Sequence, residues 1–273
     1  MDKKDILGVL VLYKCMLKDS ETYKTLLFNQ GADLLVYDNS PVPQSIPADY
    51  SGHIEYVHDP ANGGISIAYN YAAKFAKDHG HKWLLLLDQD TLFPSGAMSS
   101  YIDALNNHTQ ISMFVPKVKN SDGRYISPTK YMLKTSRPVK KAREGVIPFS
   151  KACPINSGIM VSVDSFLEAG GYDEKVTLDF SDIRFIEKYK KTQEYFFCMN
   201  IICLQNYSIN EKDENKLLSR YKVFLKCAKH CKRETLWDDC GYLFTTLKRT
   251  IRLTICTRNV VFLKTYYHNY LLS

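Results

Sequence analysis

Three short apolar runs, each ending in a polar cluster, constrain the fold of this chain most. Residues 6–13 read ILGVLVLY, the continuous apolar run of a strand buried on both faces. Residues 33–37 and 83–87 repeat the pattern, and 53–58 reads as a further short strand. Between them, residues 19–30 look helical, with Asp19 or Ser20 as cap and Gly31 as stop. Asn62-Gly63-Gly64 opens a second helix to about Asp78, with a small-residue face of Ala68, Ala72, Ala73 and Ala76. Strands alternating with helices predict an α/β chain with an open, mostly parallel sheet flanked by helices. Ligands bind such sheets at the carboxyl ends of the strands. Tyr13-Lys14, Asp38-Asn39 and Asp88-Gln89-Asp90 all stand there. One site assembled from three strand ends is expected.

Asp88-Gln89-Asp90 is the strongest local signal. Two carboxylates just past a buried strand are costly to bury unpaired, so they point into a cleft. A hard divalent cation prefers such oxygen ligands, and Mg²⁺ typically takes one or two carboxylates plus substrate phosphates. Alone, the tripeptide also reads as a solvated turn before Thr91. Asp38 is placed to accept from a nucleobase or ribose, or to make an ordinary turn with Asn39-Ser40-Pro41. Asn62-Gly63-Gly64 is either a close approach to a ligand or a turn and cap.

Further on, residues 120–150 hold three prolines and many basic side chains, and are expected to be irregular or ribbon-like. Order returns at Asn156-Ser157-Gly158 and a strand over 159–163. A short helix and turn follow over 166–173, then a helix entered through Asp179 and Asp182. From about Leu217 the chain looks helical to its end. No internal repeat is visible.

Taken in order, LVLYK (10–14), VYDNSP (36–41), NGGISIAYNYA (62–72), LLLLDQDT (84–91), NSGIMVS (156–162) and GGYDEKVTLDFSDIRF (170–185) resemble family 2 glycosyltransferases. The resemblance covers about residues 6–190. The DQDT form, with LDFSD downstream, looks most like bacterial rhamnosyltransferases of capsule, O-antigen or cell-wall polysaccharide assembly. It implies a GT-A catalytic domain over 1–211 and a basic helical extension over 212–273. It also implies that Tyr13, Asp38 and Asn39 line the nucleotide base and ribose, and that Asn62, Gly63, Gly64 and Asn70 belong to the nucleotide-binding helix. Asp88-Gln89-Asp90 would be the DXD element contacting the nucleotide sugar, with Asp88 and Asp90 holding Mg²⁺ or Mn²⁺. Asp182 would be the catalytic base of an inverting transfer, with Asp179 the weaker candidate.

Two departures from the family pattern stand out. Arg184 and Lys188 replace the usual acidic residue and Arg after the base. Residues 204–208 (LQNYS) carry no His. Lys14, Arg184 and the basic residues of 130–143 are candidate substitutes at the diphosphate. The donor implied is dTDP-rhamnose, with UDP-sugars fitting the same motifs; the acceptor implied is a saccharide or lipid-linked saccharide.

Charge sharpens the picture. The formal net charge is +7, but residues 1–211 hold 23 basic and 24 acidic side chains, and residues 212–273 hold 13 and 5. A nucleic-acid binder using its main body would not look like this, and one using only the extension leaves Asp88-Gln89-Asp90 unexplained. A nucleotidyltransferase would need a Gly-rich loop where Tyr13-Lys14-Cys15-Met16 stands. A catalytically silent sugar-binding homologue is a further alternative. The basic, aromatic-rich extension suits an anionic membrane surface, or else packs on the body. No run is long enough for a transmembrane helix, and the first apolar run is too short for a signal peptide. The eight scattered cysteines contain no CxxC pair, and Cys227, His230 and Cys231 make a weak metal signal, so a reduced cytoplasmic protein is expected, peripheral on the inner membrane face if the extension binds lipid.

Overall fold

The structure is a computed structural model and describes residues 3–28, 30–205 and 213–272. Its strands are β1 (Ile6–Leu12), β2 (Asp33–Asp38), β3 (Ile54–His58), β4 (Trp83–Asp88), β5 (Thr91–Leu92), β6 (Met113–Lys119), β7 (Tyr125–Ser127), β8 (Tyr131–Met132), β9 (Thr135–Ser136), β10 (Gly145–Pro148), β11 (Ile159–Ser162) and β12 (Tyr195–Gln205). Its α-helices are α1 (Ile65–Asp78), α2 (Ala97–Asn107), α3 (Val163–Glu168), α4 (Ser181–Tyr189), α5 (Glu214–His230), α6 (Leu236–Thr257) and α7 (Val261–Tyr266).

The main sheet runs β10-β12-β6-β11-β4-β1-β2-β3, with β5 on β12 and β7 on β6. The expected parallel sheet is present as β4-β1-β2-β3. Beyond it, β11 runs antiparallel between β4 and β6, so the whole sheet is mixed. Residues alternate across the strands: Leu10, Leu12, Leu34 and Val36 feed one core, and Leu7, Val9, Val11 and Leu35 the other. Both faces are therefore covered, which is why β1 is apolar throughout. Residues 120–150 form short ribbons, as expected, including the β8–β9 pair.

The expected helix over 19–30 is present but shorter, over 21–27, and mostly π-helical. It follows a 3-10 turn at Leu17–Asp19, and its π-helical stretch at Tyr23–Leu27 is closed by Phe28 N donating to Tyr23 O. Its start is fastened to the turn after β4: Ser20 Oγ donates to Gln89 O, and Thr22 Oγ1 donates to Asp88 O and Thr91 O.

The C-terminal helices build a third core with residues of the preceding body. Val176 and Phe180 are buried among Tyr221, Phe224, Leu225, Tyr242 and Phe262. The extension thus packs on the body and encloses the loop that leads into α4. Cys227 and Cys231 are buried in this core as free thiols. The expected boundary at 211/212 lies outside the described residues.

Candidate active site

The three strand ends do converge. Gln89 clasps the end of β1 with both ends of its amide: Tyr13 N donates to Oε1 at 2.8 Å, and Nε2 donates to Tyr13 O at 3.4 Å. Lys14 follows with φ of +50° and donates its N–H to Ser40 Oγ. This hooks the start of one loop to the end of β2. The Tyr13 ring remains half-exposed, with Lys14 Nζ 5.2 Å from its centroid.

Asp38 differs from expectation. It is fully buried, and both oxygens are taken by the chain's own donors. Oδ1 accepts from Ser40 N, and Oδ2 accepts from Gln44 Nε2 at 2.8 Å and Tyr56 OH at 2.9 Å. Burial pushes its pKa up, but these hydrogen bonds outweigh it and hold the carboxyl below the usual range. Asp38 shapes the loop floor rather than presenting a free acceptor. Asn39, also buried, reaches across to accept from Gly64 N at 3.4 Å.

Gly64 caps α1 with φ of +89°, and a Cβ there would lie 2.3 Å from Thr177 O. That closeness lets Ile65 N donate to Thr177 O and Ser66 Oγ to Val176 O. Gly63 N donates to Asp59 Oδ2, and Asn62 sits at φ of +53°. Asn70 lies on α1 as expected. Its Oδ1 accepts from Tyr172 N, while Nδ2 donates to Tyr172 O and Glu174 Oε1, which fastens the 172–177 loop to α1.

Asp88 and Asp90 are tied together by two residues that sequence reasoning did not single out. Asp88 Oδ2 accepts from Ser157 Oγ at 2.5 Å and Gln205 Nε2 at 3.1 Å. The same Nε2 lies 3.4 Å from Asp90 Oδ1, and Ser157 Oγ also bonds Gln205 Oε1. Gln205 belongs to the LQNYS segment noted for its missing His; Asn206, Tyr207 and Ser208 lie outside the described residues. Burial pushes Asp88 up to about 6, with the Asp90 charge adding to it and the Ser157 and Gln205 bonds opposing. Two carboxylates are hard oxygen ligands, and a cation would remove the repulsion that Asp88 feels from Asp90. The residues fit a divalent ion, although no cluster of three His, Cys, Asp or Glu forms among the described residues.

Asp182 lies in the first turn of α4, where its Oδ1 accepts from Ile183 N. Burial first, then the charges of Asp88 and Asp179, push it up to about 6 against that hydrogen bond. Asp182 lies near enough to Asp88 to feel its charge, and the buried Tyr69 and Tyr172 hydroxyls feel both. Tyr172 stacks on Phe185 at 4.5 Å and donates to Asn156 Oδ1. Beside Asp182, a cavity of about 160 Å³ opens between Tyr131, Cys153, Ile183 and Lys190.

Asp179 is spoken for. Arg220 of α5 grips both its oxygens, and Arg249 of α6 lies 3.4 Å from Oδ1. Two of the candidate diphosphate substitutes are also committed. Arg184 is buried and paired with Glu187; Lys134 is buried between Glu187 and Asp238. Lys188 holds Gly170 O and Gly171 O. Lys14 remains at the mouth of the site.

Residues 34–169 match the family described as Glycosyl transferase family 2. The chain carries a family 2 glycosyltransferase domain. Over 184 residues it is 27% identical to the dTDP-rhamnosyl transferase RfbF of Shigella flexneri, a match covering 65% of this chain and 60% of that protein. Among solved structures, GalNAc-T7 with UDP, GalNAc and Mn²⁺ aligns with 74% of this chain and 44% of its own, at TM-score 0.55 and 12% identity. TarS of S. aureus aligns with 89% of this chain and 43% of its own, at TM-score 0.51 and 12% identity. The chain therefore spans only part of these relatives. The structural likenesses establish the GT-A fold.

Proposed function

We propose that this family 2 glycosyltransferase performs inverting transfer of a sugar from a nucleoside diphosphate to an acceptor hydroxyl. The observation that carries this reading is the strand-end cluster in which Asp88 and Asp90 share the Gln205 amide, with Asp182 in the first turn of α4 close enough to feel the Asp88 charge. In the ionised state, Asp182 takes the proton from the acceptor hydroxyl as its oxygen attacks the anomeric carbon. The bond to the nucleoside diphosphate breaks on the opposite face, and the leaving group departs with its negative charge. Asp88 and Asp90 would hold Mg²⁺ or Mn²⁺, which when bound neutralises that charge. Tyr13 and the turn built by Asp38, Asn39, Asn62, Gly63 and Gly64 shape the nucleotide side. The cavity lined by Tyr131, Cys153 and Ile183 lies on the acceptor side.

The relative RfbF supports dTDP-rhamnose as donor and bacterial surface polysaccharide as the setting. A UDP-hexose is the second candidate, favoured by the UDP in the GalNAc-T7 structure. No helix among the described residues is long and apolar enough to cross a membrane. We infer a lipid-linked saccharide acceptor, met at the cytoplasmic face of an anionic membrane. The decisive experiment is a donor screen for released nucleoside diphosphate, run on wild type and Asp182→Asn. Transfer lost with donor binding kept supports the base; transfer retained in a folded mutant removes Asp182 from that role. EDTA treatment that leaves turnover unchanged would remove the cation.

A further inference from the structure

The helix α6 has two opposed faces. Tyr242, Thr246 and Thr250 are buried, and Arg249 reaches Asp179. On the other side, Trp237, Phe244, Leu247, Ile251 and Ile255 form a line with exposures from 41% (Leu247) to 78% (Trp237). At 100° per residue these five fall within an arc of about 80°, and at 1.5 Å per residue they span about 27 Å. An apolar stripe this long is unusual on a protein surface and marks an interaction site.

Its flanks say what it meets. From Cys240 to Ser273 the sequence contains no Asp or Glu and five Lys or Arg. Of these, Arg249 is turned inward, while Lys248 and Arg252 are exposed next to the stripe. The two acids at the start of α6 are already engaged, Asp238 by Lys134 and Asp239 by Arg233. Pairing of two copies through this face would set like charges against each other with no free acid to offset them. An anionic bilayer meets both features: headgroups for the cations, and acyl chains for Phe244, Ile251 and Ile255. Trp237 stands at the end of the line, a side chain suited to the interface.

We propose that the outer face of α6 is the surface by which the protein lies on an anionic membrane. This deepens the membrane reading above and rests on it. It also fixes orientation, since the opposite side of the same helix holds Asp179 and so the loop entering α4.

The test uses the full chain with vesicles of phosphatidylcholine alone or mixed with phosphatidylglycerol. The sequence holds two tryptophans, and Trp83 is already buried. A blue shift of intrinsic fluorescence therefore reports Trp237 entering lipid. The expected result is a blue shift and flotation with the anionic vesicles only. The triple variant Phe244→Ser, Ile251→Ser, Ile255→Ser should lose flotation at least tenfold. The double variant Lys248→Gln, Arg252→Gln should weaken it and lower its salt dependence. Both should keep donor hydrolysis in the absence of vesicles, which separates this surface from the transferase reading. No blue shift in wild type, flotation of the triple variant equal to wild type, or a dimer that the triple variant dissolves would each overturn the proposal.

Discussion

Arg220 grips Asp179 through both terminal guanidinium nitrogens, and Asp179 lies three residues ahead of Asp182. With Phe180 buried in the third core, the entry to α4 is held by α5 and α6. Arg220→Ala should therefore damage chemistry more than binding. We expect kcat for transfer to fall roughly ten- to a hundredfold, as for an ångström-scale misplacement of a catalytic group. Donor KM should change less than twofold, and Arg220→Lys should recover part of the loss. Steady-state kinetics check this, and a kcat equal to wild type would cut the link.

The pH profile follows from Asp182. Its carboxyl is raised to about 6 by burial and by the Asp88 and Asp179 charges. A base must be ionised, so kcat/KM should fall as pH drops below about 6. Stability should run the other way. The folded pKa lies above the unfolded value of 3.8. The folded state thus holds this proton more tightly, and the stabilisation is complete below about 3.8 and lost as pH rises through about 6. Asp182→Asn should raise Tm at pH 8, with the difference closing toward pH 4. A wild-type profile flat from pH 5 to 8 would contradict the assignment.

Gly64→Ala places a Cβ against Thr177 O at a φ of +89°. Backbone strain of about 1–3 kcal/mol, with the clash added, predicts a Tm lower by roughly 5–10 °C. Because Ile65 N donates to Thr177 O, transfer should fall with it. Thermal melting with an activity assay measures both. Full stability in the variant would show that the loop can retreat at no cost.

Gln205 spans Asp88 and Asp90 and also touches Ser157. Gln205→Ala should leave both carboxylates less ordered and raise the Mn²⁺ concentration needed for half-maximal activity roughly tenfold, the usual cost of losing a group that orients metal ligands. Titrating Mn²⁺ into EDTA-stripped protein checks it. An unchanged midpoint would limit Gln205 to packing.

The half of the sheet holding β1 to β4 was legible because β1, β2 and β4 are apolar runs with a polar stop and β3 falls at the expected spacing between them. β6 and β12 were not: Pro116 and Lys117 interrupt the first, and Asn200 with a register shift interrupts the second. Asp88, Gln89 and Asp90 could be picked out because they follow a buried strand, and Asp182 only through the resemblance to family 2 glycosyltransferases. Asp38 was read toward a ligand, since nothing local reveals that Gln44 and Tyr56 would claim it. Ser157 and Gln205 carry no such signal; they matter only because the end of β4, the approach to β11 and the end of β12 meet.

The third core has a bearing on how such enzymes could be recombined. Val176 and Phe180 need Tyr221, Phe224 and Tyr242 around them, and Asp179 needs Arg220 and Arg249. A chimera that trades only the 172–182 loop, or only the helices from Glu214 onward, would leave a greasy gap and an orphaned charge. Loop and helices form one heritable cassette, although more than thirty residues of sequence lie between them.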